Sequence, residues 1–305
     1  MAVRRVRLGT RGSALARAQA ELVRDALLVA HPGLVVDVEY IRTSGDRLQQ
    51  GPLAAAGGKG LFVKEIEQAL AAATIDLAVH SSKDLPATIG PGLVIAAVPE
   101  RADPRDVLVS HAPGGLDGLA AGARLGTASV RRRAQVLARR RDLEVVVLRG
   151  NVDTRLRRWR AGDFDAILLA AAGLARLGVT EPAARPIEPD VLLPAVGQGA
   201  LALECRADDA ATRALLSALD HAPSARALAA ERAFLQGIGG DCNTPLAAYA
   251  TVRDGRLALR AQVSDLDGTR WLEDAIEGPA GDAAALGRAL AERLLARGAG
   301  ALIGR

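Results

Sequence analysis

The stretch "IDLAVHSSKDLP" (75–86) ends an apolar run with an adjacent ammonium and carboxylate, Lys83 and Asp84. A carboxylate at the mouth of a buried strand sits in low dielectric. Charge developing on a neighbouring cation meets it there far more strongly than in water. The same group can exchange protons with an amine or a ring N–H. The plainer use of these residues is a loop ion pair or a helix cap. Three further stretches add arginines: "GTRGSALA" with Arg11, "LGTASVRRRAQ" with Arg131 and Arg132, and "LRGNVDTRL" with Arg149 and Arg155. In the second, Ser129 follows a Gly-Thr turn and can cap a helix, whose free N–H groups and dipole favour an anion. Arginine's fork matches carboxylates two bonds at a time. The pattern predicts a cleft for a ligand with several carboxylates or phosphates.

Composition sets how each cation is weighed. Of 39 basic residues only three are lysines, Lys59, Lys64 and Lys83, so an arginine here is partly habit and a lysine is a choice. Arg139, Arg140 and Arg141 at a helix end read as solvated, dipole-favoured charges. Aromatic residues make up 2% of the chain, too few for stacking platforms on single-stranded nucleic acid. The four histidines are scattered and no zinc spacing exists. No apolar run reaches membrane-spanning length, and the start lacks the apolar core of a secretory signal. Two cysteines make no disulfide framework, which fits a cytoplasmic protein. Cys205, in the apolar "LALECR", reads as an inert core thiol. Cys242, in the Gly-rich "GIGGDCNTP", is either a nucleophile on a ligand-hugging loop or a free loop thiol.

The elements that must position these groups follow from periodicity. "RRVRLGT" alternates as a strand, and Leu15, Ala18, Leu22, Ala26 and Val29 recur at helical spacing until "HPG" stops them. A strand over 34–41, a long loop over 42–60, a helix over 61–73 and strands over 75–80 and 92–98 come next. Strand–helix alternation resumes from about 123 to 178. Such alternation predicts largely parallel sheets with helices on both faces, and ligands at the carboxyl ends of the strands. Lys83–Asp84, Gly126–Ser129 and Arg149–Asn151 all fall there. "LLPAVGQGALALECR" (192–206) reads as a crossover back to the first domain. After about residue 220 a helix leads to alternating strands with Asp254-Gly255 and Asp267-Gly268 turns, an antiparallel meander, and then to a last helix over 282–297.

Taken together, "LGTRGSALA", "GGKGLFVKEIE", "AVHSSKDLP", "GTASVRRRAQ", "LRGNVDTRL", "LPAVGQGALALECR" and "GGDCNTPL" resemble, in order and spacing, the porphobilinogen deaminase (hydroxymethylbilane synthase) family over essentially the whole chain. The resemblance implies an α/β fold of three domains. Two are alike and similar to periplasmic binding proteins around a cleft, covering 1–99 with 200–217 and 100–199. The third, smaller, covers 218–305 and presents a cofactor cysteine. It also implies a transferase that joins four porphobilinogen molecules head to tail, releases ammonia and yields hydroxymethylbilane for tetrapyrrole (haem) biosynthesis. The primer implied is dipyrromethane, bound through a thioether to Cys242. By the same resemblance Asp84 is catalytic. Lys83, Thr127, Ser129, Arg131, Arg132 and Gln198 hold the cofactor. Arg11, Ser13, Arg149, Arg155 and Arg176 bind substrate, and Lys59 belongs to a mobile loop. No metal, nucleic acid or membrane partner is implied, and the chain is expected to be a monomer. Segments near 99–105 and 193–199 read as hinges. Three positions depart from the pattern: Ala55 where some members carry lysine, Ala128 for a frequent serine, and Asp241 for a glycine. A carboxylate beside Cys242 works against thiolate formation. The alternative is a solute-capture protein with the same two lobes, which would need neither Asp84 nor Cys242.

Overall fold

The computed structural model describes residues 5–44, 63–241 and 243–304. The chain divides into two compact units, Met1–Ala102 with Ala200–Ala225 and Asp103–Gly199 with Arg226–Arg305.

The first unit is built on a five-stranded sheet in the order β2-β1-β3-β10-β4. Its strands are β1 (Arg5–Arg11), β2 (Val35–Ile41), β3 (Leu77–Ser81), β4 (Leu93–Ala97) and β10 (Leu201–Arg206). β1 pairs in parallel with β2 and β3, while β10 runs antiparallel to both β3 and β4. Helix α1 (Ala14–Ala30) lays Ala16, Ala20, Val23 and Leu27 inward at helical spacing and covers one face over Val6, Leu8, Leu77 and Val79. Helix α2 (Lys64–Ala71) covers the other face through Ile66 and Leu70, packed on Ile75 and Ala78. Because side chains alternate along β3, Ala78 and His80 share the α2 face and Leu77 and Val79 the α1 face.

The second unit repeats this plan. Its sheet runs β7-β6-β8-β5-β9, with β5 (Asp106–Ser110), β6 (Arg124–Gly126), β7 (Glu144–Val146), β8 (Ala166–Ala170) and β9 (Ala184–Ile187). β6 is parallel to β7 and β8, and β5 is antiparallel to β8 and β9. In both sheets the antiparallel strand is the first one laid down after the chain crosses over. α3 (Val130–Arg139), α4 (Val152–Arg160) and α5 (Ala171–Arg176) follow β6, β7 and β8. The same unit holds a smaller antiparallel sheet, β11 (Leu246–Arg253), β12 (Arg256–Ser264) and β13 (Trp271–Pro279), in that order. A helix over Ala222–Ile238 precedes it and another over Ala283–Ala296 follows. The turn at Gly268 comes so close to α3 that an added Cβ would lie 2.0 Å from the Ala134 carbonyl oxygen. Arg133 also reaches Asp267 at 3.1 Å, so this small sheet packs on the second lobe. The β-α alternation, the crossover and the meander are as the periodicity predicts. Strands β5 and β9 were not: β9 contains Pro186, and β5 opens on a charged residue, both poor strand signals.

Candidate active site

In the first unit the carboxyl ends of β1 and β3 lie side by side. Arg11 is the last residue of β1, and the next helix starts at once because Ser13 accepts the Ala16 N–H at 3.3 Å and caps it. β3 ends at Ser81, and a single tight turn over Ser82–Asp84 carries Lys83 and Asp84 outward. That turn is pinned by Ser82 N–H donating to Ala200 O at 3.0 Å, while Leu85 is buried beside Val63 and Ala202. Arg11, Ser13, Gln19, Val63, His80 and Asp84 border one pocket. Asp84 corrects the expectation of a carboxylate in low dielectric: it is exposed in this unit, at the pocket rim, because the turn lifts it clear of the sheet. Gln19 carries no site signal in the sequence alone. It stands in the buried stripe of α1, 3% exposed, and its amide nitrogen is buried with no hydrogen-bond partner among the described residues. A ligand acceptor in the pocket would satisfy it.

In the second unit β7, β6 and β8 also end side by side. Thr127 Oγ1 accepts the Ser129 N–H at 3.2 Å, and Ser129 in turn caps α3 by accepting the Arg132 N–H. Asn151 caps α4 by accepting the Thr154 N–H at 2.9 Å. Gly150 precedes it at φ +112°, a backbone open to glycine and strained for other residues. Arg155 Nε donates to Gly150 O at 2.8 Å, so Arg149 and Arg155 flank one turn, both half-buried. Arg176, at the end of α5, donates to Gly199 O at 2.6 Å, and burial pushes its guanidinium down to about 10.

Three residues expected to hold a cofactor, Arg131, Arg132 and Gln198, meet at one buried carboxylate. Arg131 and Arg132 are each 5% exposed and clamp the fully buried Asp106. Arg131 Nη1 lies 2.7 Å from Asp106 Oδ2 and 2.7 Å from Leu193 O. Arg132 Nε lies 2.9 Å from Oδ1, and its Nη1 2.8 Å from Leu168 O. Gln198 Nε2 joins them, 3.0 Å from Oδ1 and 2.7 Å from Pro104 O. Burial opposes the charge on Asp106, but the two guanidiniums outweigh it and hold the carboxyl well below its ordinary range. The reason is helical geometry: Ser129 occupies the cap, and the residues two and three further on turn toward the sheet. Ser129 is half-buried at the helix start, with Arg131 and Arg132 fixing the helix behind it.

Cys242, Lys59 and Ala55 lie outside the described residues, as does most of the long loop. The neighbours of Cys242 do explain the Asp241 departure. Asp241 Oδ1 accepts the Asn243 N–H at 2.9 Å and the Thr244 hydroxyl at 3.1 Å, and its own N–H donates to Thr244 Oγ1 at 3.0 Å. The carboxylate ties Asp241 to Asn243 and Thr244, which a glycine cannot do. Upstream, the fully buried Glu231 accepts N–H groups from Gly197 at 2.6 Å and Ala250 at 2.8 Å. Glu231, Gln19 and Glu204 share one sequence signal: a charged or amide side chain inside an otherwise apolar stripe.

The residues present suit an acidic pyrrole cofactor such as dipyrromethane. The pocket of the first unit has an unsatisfied buried amide beside Arg11 and Ser13, and the second unit offers a capped helix start at Ser129. Among the described residues no group of three or more His, Cys, Asp or Glu side chains is placed to hold a metal, and no helix is long and apolar enough to cross a membrane.

Comparison with known proteins agrees with this layout. The family model "Porphobilinogen deaminase, dipyromethane cofactor binding domain" matches residues 6–214, and "Porphobilinogen deaminase, C-terminal domain" matches residues 225–296. A porphobilinogen deaminase of Roseiflexus sp. (strain RS-1) is 52% identical over 296 residues, 97% of this chain and 97% of its own. That of Syntrophotalea carbinolica is 51% identical over 294 residues, 96% of this chain and 93% of its own. A probable amino-acid ABC transporter extracellular-binding protein of Bacillus subtilis aligns over 71% of this chain and 90% of its own, at 12% identity and a TM-score of 0.42. That likeness is too remote to add to the repeated strand order. The two α/β lobes, the smaller antiparallel domain and identity sustained through both matched domains lead to one conclusion: the chain belongs to the porphobilinogen deaminase family.

Proposed function

We infer that this chain condenses four porphobilinogen molecules head to tail, releases ammonia and delivers hydroxymethylbilane, the linear precursor in tetrapyrrole biosynthesis. The observation that carries the reading is the family match through both the cofactor-binding and the C-terminal domain. Porphobilinogen carries an acetate, a propionate and an aminomethyl group, so its recognition calls for guanidiniums around a carboxylate. Arg11 and Ser13 on one lobe, and Arg149, Arg155 and Arg176 on the other, take the acid side chains. Asp84 meets the pyrrole N–H, assists departure of the amine and balances the cation left on the ring. When bound, dipyrromethane supplies the primer to which substrate units are joined. Cys242 holds it by a thioether, because a soft sulfur nucleophile suits an electrophilic methylene. Lys83, Thr127, Ser129, Arg131, Arg132 and Gln198 hold its acids, the two arginines and Gln198 being anchored on Asp106.

The second compact unit is read as two domains, so the chain has three, with 99–105 and 193–199 as hinges. Lys59 supplies the cation of the long loop. The enzyme works as a cytoplasmic monomer without metal. The test is an intact mass of the denatured protein, followed by incubation with porphobilinogen. Added mass of two linked substrate-derived units on the Cys242 peptide, with ammonia released on incubation, is expected. An unmodified chain that binds porphobilinogen and releases no ammonia would favour solute capture instead.

A further inference from the structure

Beneath the pocket of the first unit lies an acid–base pair to which the reading above gives no part. His80 and Glu204 are diagonal neighbours on the α2 face of the sheet, since His80 pairs with Ala202 and Glu204 with Ala78. His80 Nε2 lies 2.9 Å from Glu204 Oε2, with side-chain exposures of 4% and 0%. The other carboxylate oxygen, Oε1, is buried with no hydrogen-bond partner among the described residues. An unpartnered buried carboxylate oxygen is costly, and a core has no use for it. His80 also borders the pocket that Arg11, Ser13, Gln19 and Asp84 line.

Charged groups converge on this pair from several elements. Glu67 reaches in from α2, with burial as the main push raising its carboxyl above the usual range. The Gly90 N–H, 3.0 Å away, opposes that push, Glu204 adds to it and His80 counters it. Arg11 stands at the end of β1, and Lys83 and Asp84 on the turn that His80's own strand leads into. Of four groups that can exchange a proton, His80 and Asp84 border the pocket, Glu204 bonds His80, and Glu67 lies within electrostatic reach of His80 and Glu204.

We propose that the His80–Glu204 pair is a second acid–base unit of the active site, taking up the ring proton that each condensation releases while Asp84 serves the leaving amine. The proposal rests on the condensation reading above. In each round the carbon–nitrogen bond breaks with its electron pair going to nitrogen. A carbon–carbon bond forms at a pyrrole ring carbon. That carbon then loses its hydrogen as a proton, the electrons returning to the ring. His80 takes that proton and passes it on to the released ammonia, which departs as ammonium, so no redox partner is needed. The two proton events fall in successive steps, and a second base leaves Asp84 with the departing amine while the ring proton is removed. With Nε2–H donating to Glu204, Nδ1 of His80 is the basic nitrogen, and Glu204 meets the positive charge formed on the imidazole. Glu204 is the positioning residue and His80 the group that carries the proton.

The test uses the cofactor-loaded enzyme with Glu204→Gln, His80→Gln and the double variant. Cofactor mass, thermal melting, and kcat and KM for porphobilinogen are measured across pH. Each single variant is expected to keep the cofactor and a cooperative melt, to hold KM within about twofold, and to lose about a hundredfold in kcat. Both are expected to lose the same ionisation from the kcat profile, and the double variant to be no worse than either single one, as for residues acting as a unit. A kcat profile in either variant that overlays the parent's overturns the proposal. So does a defect confined to melting temperature, KM or cofactor retention, which would make the pair structural. Failure of the parent itself to release ammonia from porphobilinogen would instead sink the functional reading.

Discussion

Asp106→Asn changes one atom type in the most deeply buried ionic cluster of the second unit, and its cost can be worked from the contacts. Asp106 is fully buried. Its Oδ1 accepts from Arg131 Nη2, Arg132 Nε and Gln198 Nε2 at 3.1, 2.9 and 3.0 Å, and its Oδ2 from Arg131 Nη1 at 2.7 Å. Asparagine can keep its oxygen at the Oδ1 position. Its amide nitrogen then faces Arg131 Nη1, donor against donor, and two buried guanidiniums lose their counter-charge. Breaking a buried, hydrogen-bonded ion pair costs about 3–5 kcal/mol. The bonds of the arginines to Leu193 O and Leu168 O survive, which places the expectation near the lower figure, about 3 kcal/mol. For a unit of this size that corresponds to a melting temperature lower by about 6–12 °C.

The pH dependence is a second signature of the same cluster. The carboxyl is more acidic folded than unfolded, so its stabilisation is complete above the ordinary carboxylate range and is lost only as pH falls through the depressed folded value. The gap between parent and variant is therefore flat from about pH 5 to 8 and closes in strong acid. Thermal and urea melts across that range, with the cofactor-bearing mass recorded alongside, read it out. A variant within about 0.5 kcal/mol of the parent at neutral pH, the ordinary span of surface substitutions, would refute the account of Asp106 as the anchor of Arg131 and Arg132.

Other consequences are as specific. Asp84→Ala is expected to abolish ammonia release while leaving the melt and the cofactor mass intact, because Asp84 is exposed and supports no packing; near-normal turnover would remove it from the mechanism. Cys242→Ser should carry no covalent cofactor by mass, whereas Cys205→Ser should carry it. Burial pushes the Cys205 thiol up to about 11, so it should also resist alkylation of the native protein at pH 8, about three units lower. Gly150→Ala forces a left-handed backbone on alanine and brings a Cβ to 2.9 Å from Thr154 Cγ2. We expect a loss of about 1–3 kcal/mol together with a raised KM, since Arg149 and Arg155 flank that turn. An unchanged KM would detach the turn from substrate binding.

Much of the architecture is readable from the chain because it is local. Helical spacing in α1, the Asp-Gly turns of the meander and the serine and asparagine caps at Ser13, Ser129 and Asn151 each depend on residues a few positions apart. The chain also placed Asp84, Arg11, Ser129 and Arg149 correctly at strand ends, because a β-α alternation leaves few other places for a polar turn. Strands β5 and β9 escaped, since their pairing is with residues far along the chain and their own composition argues weakly for a strand.

What only the tertiary structure decided is which polar side chains border a pocket and which face one another. In "SVRRRAQ" three consecutive arginines are equivalent as letters. The helix turns two of them onto Asp106 and sends the third, Arg133, toward Asp267. Asp84 reads as a buried carboxylate and stands exposed, because one tight turn separates it from its strand. His80 and Glu204 are 124 positions apart and meet because β10 returns beside β3 after the crossover. Periodicity depends on neighbours in the chain and can be read from it, whereas charge pairing depends on neighbours in space and appears only once the sheet has set its register.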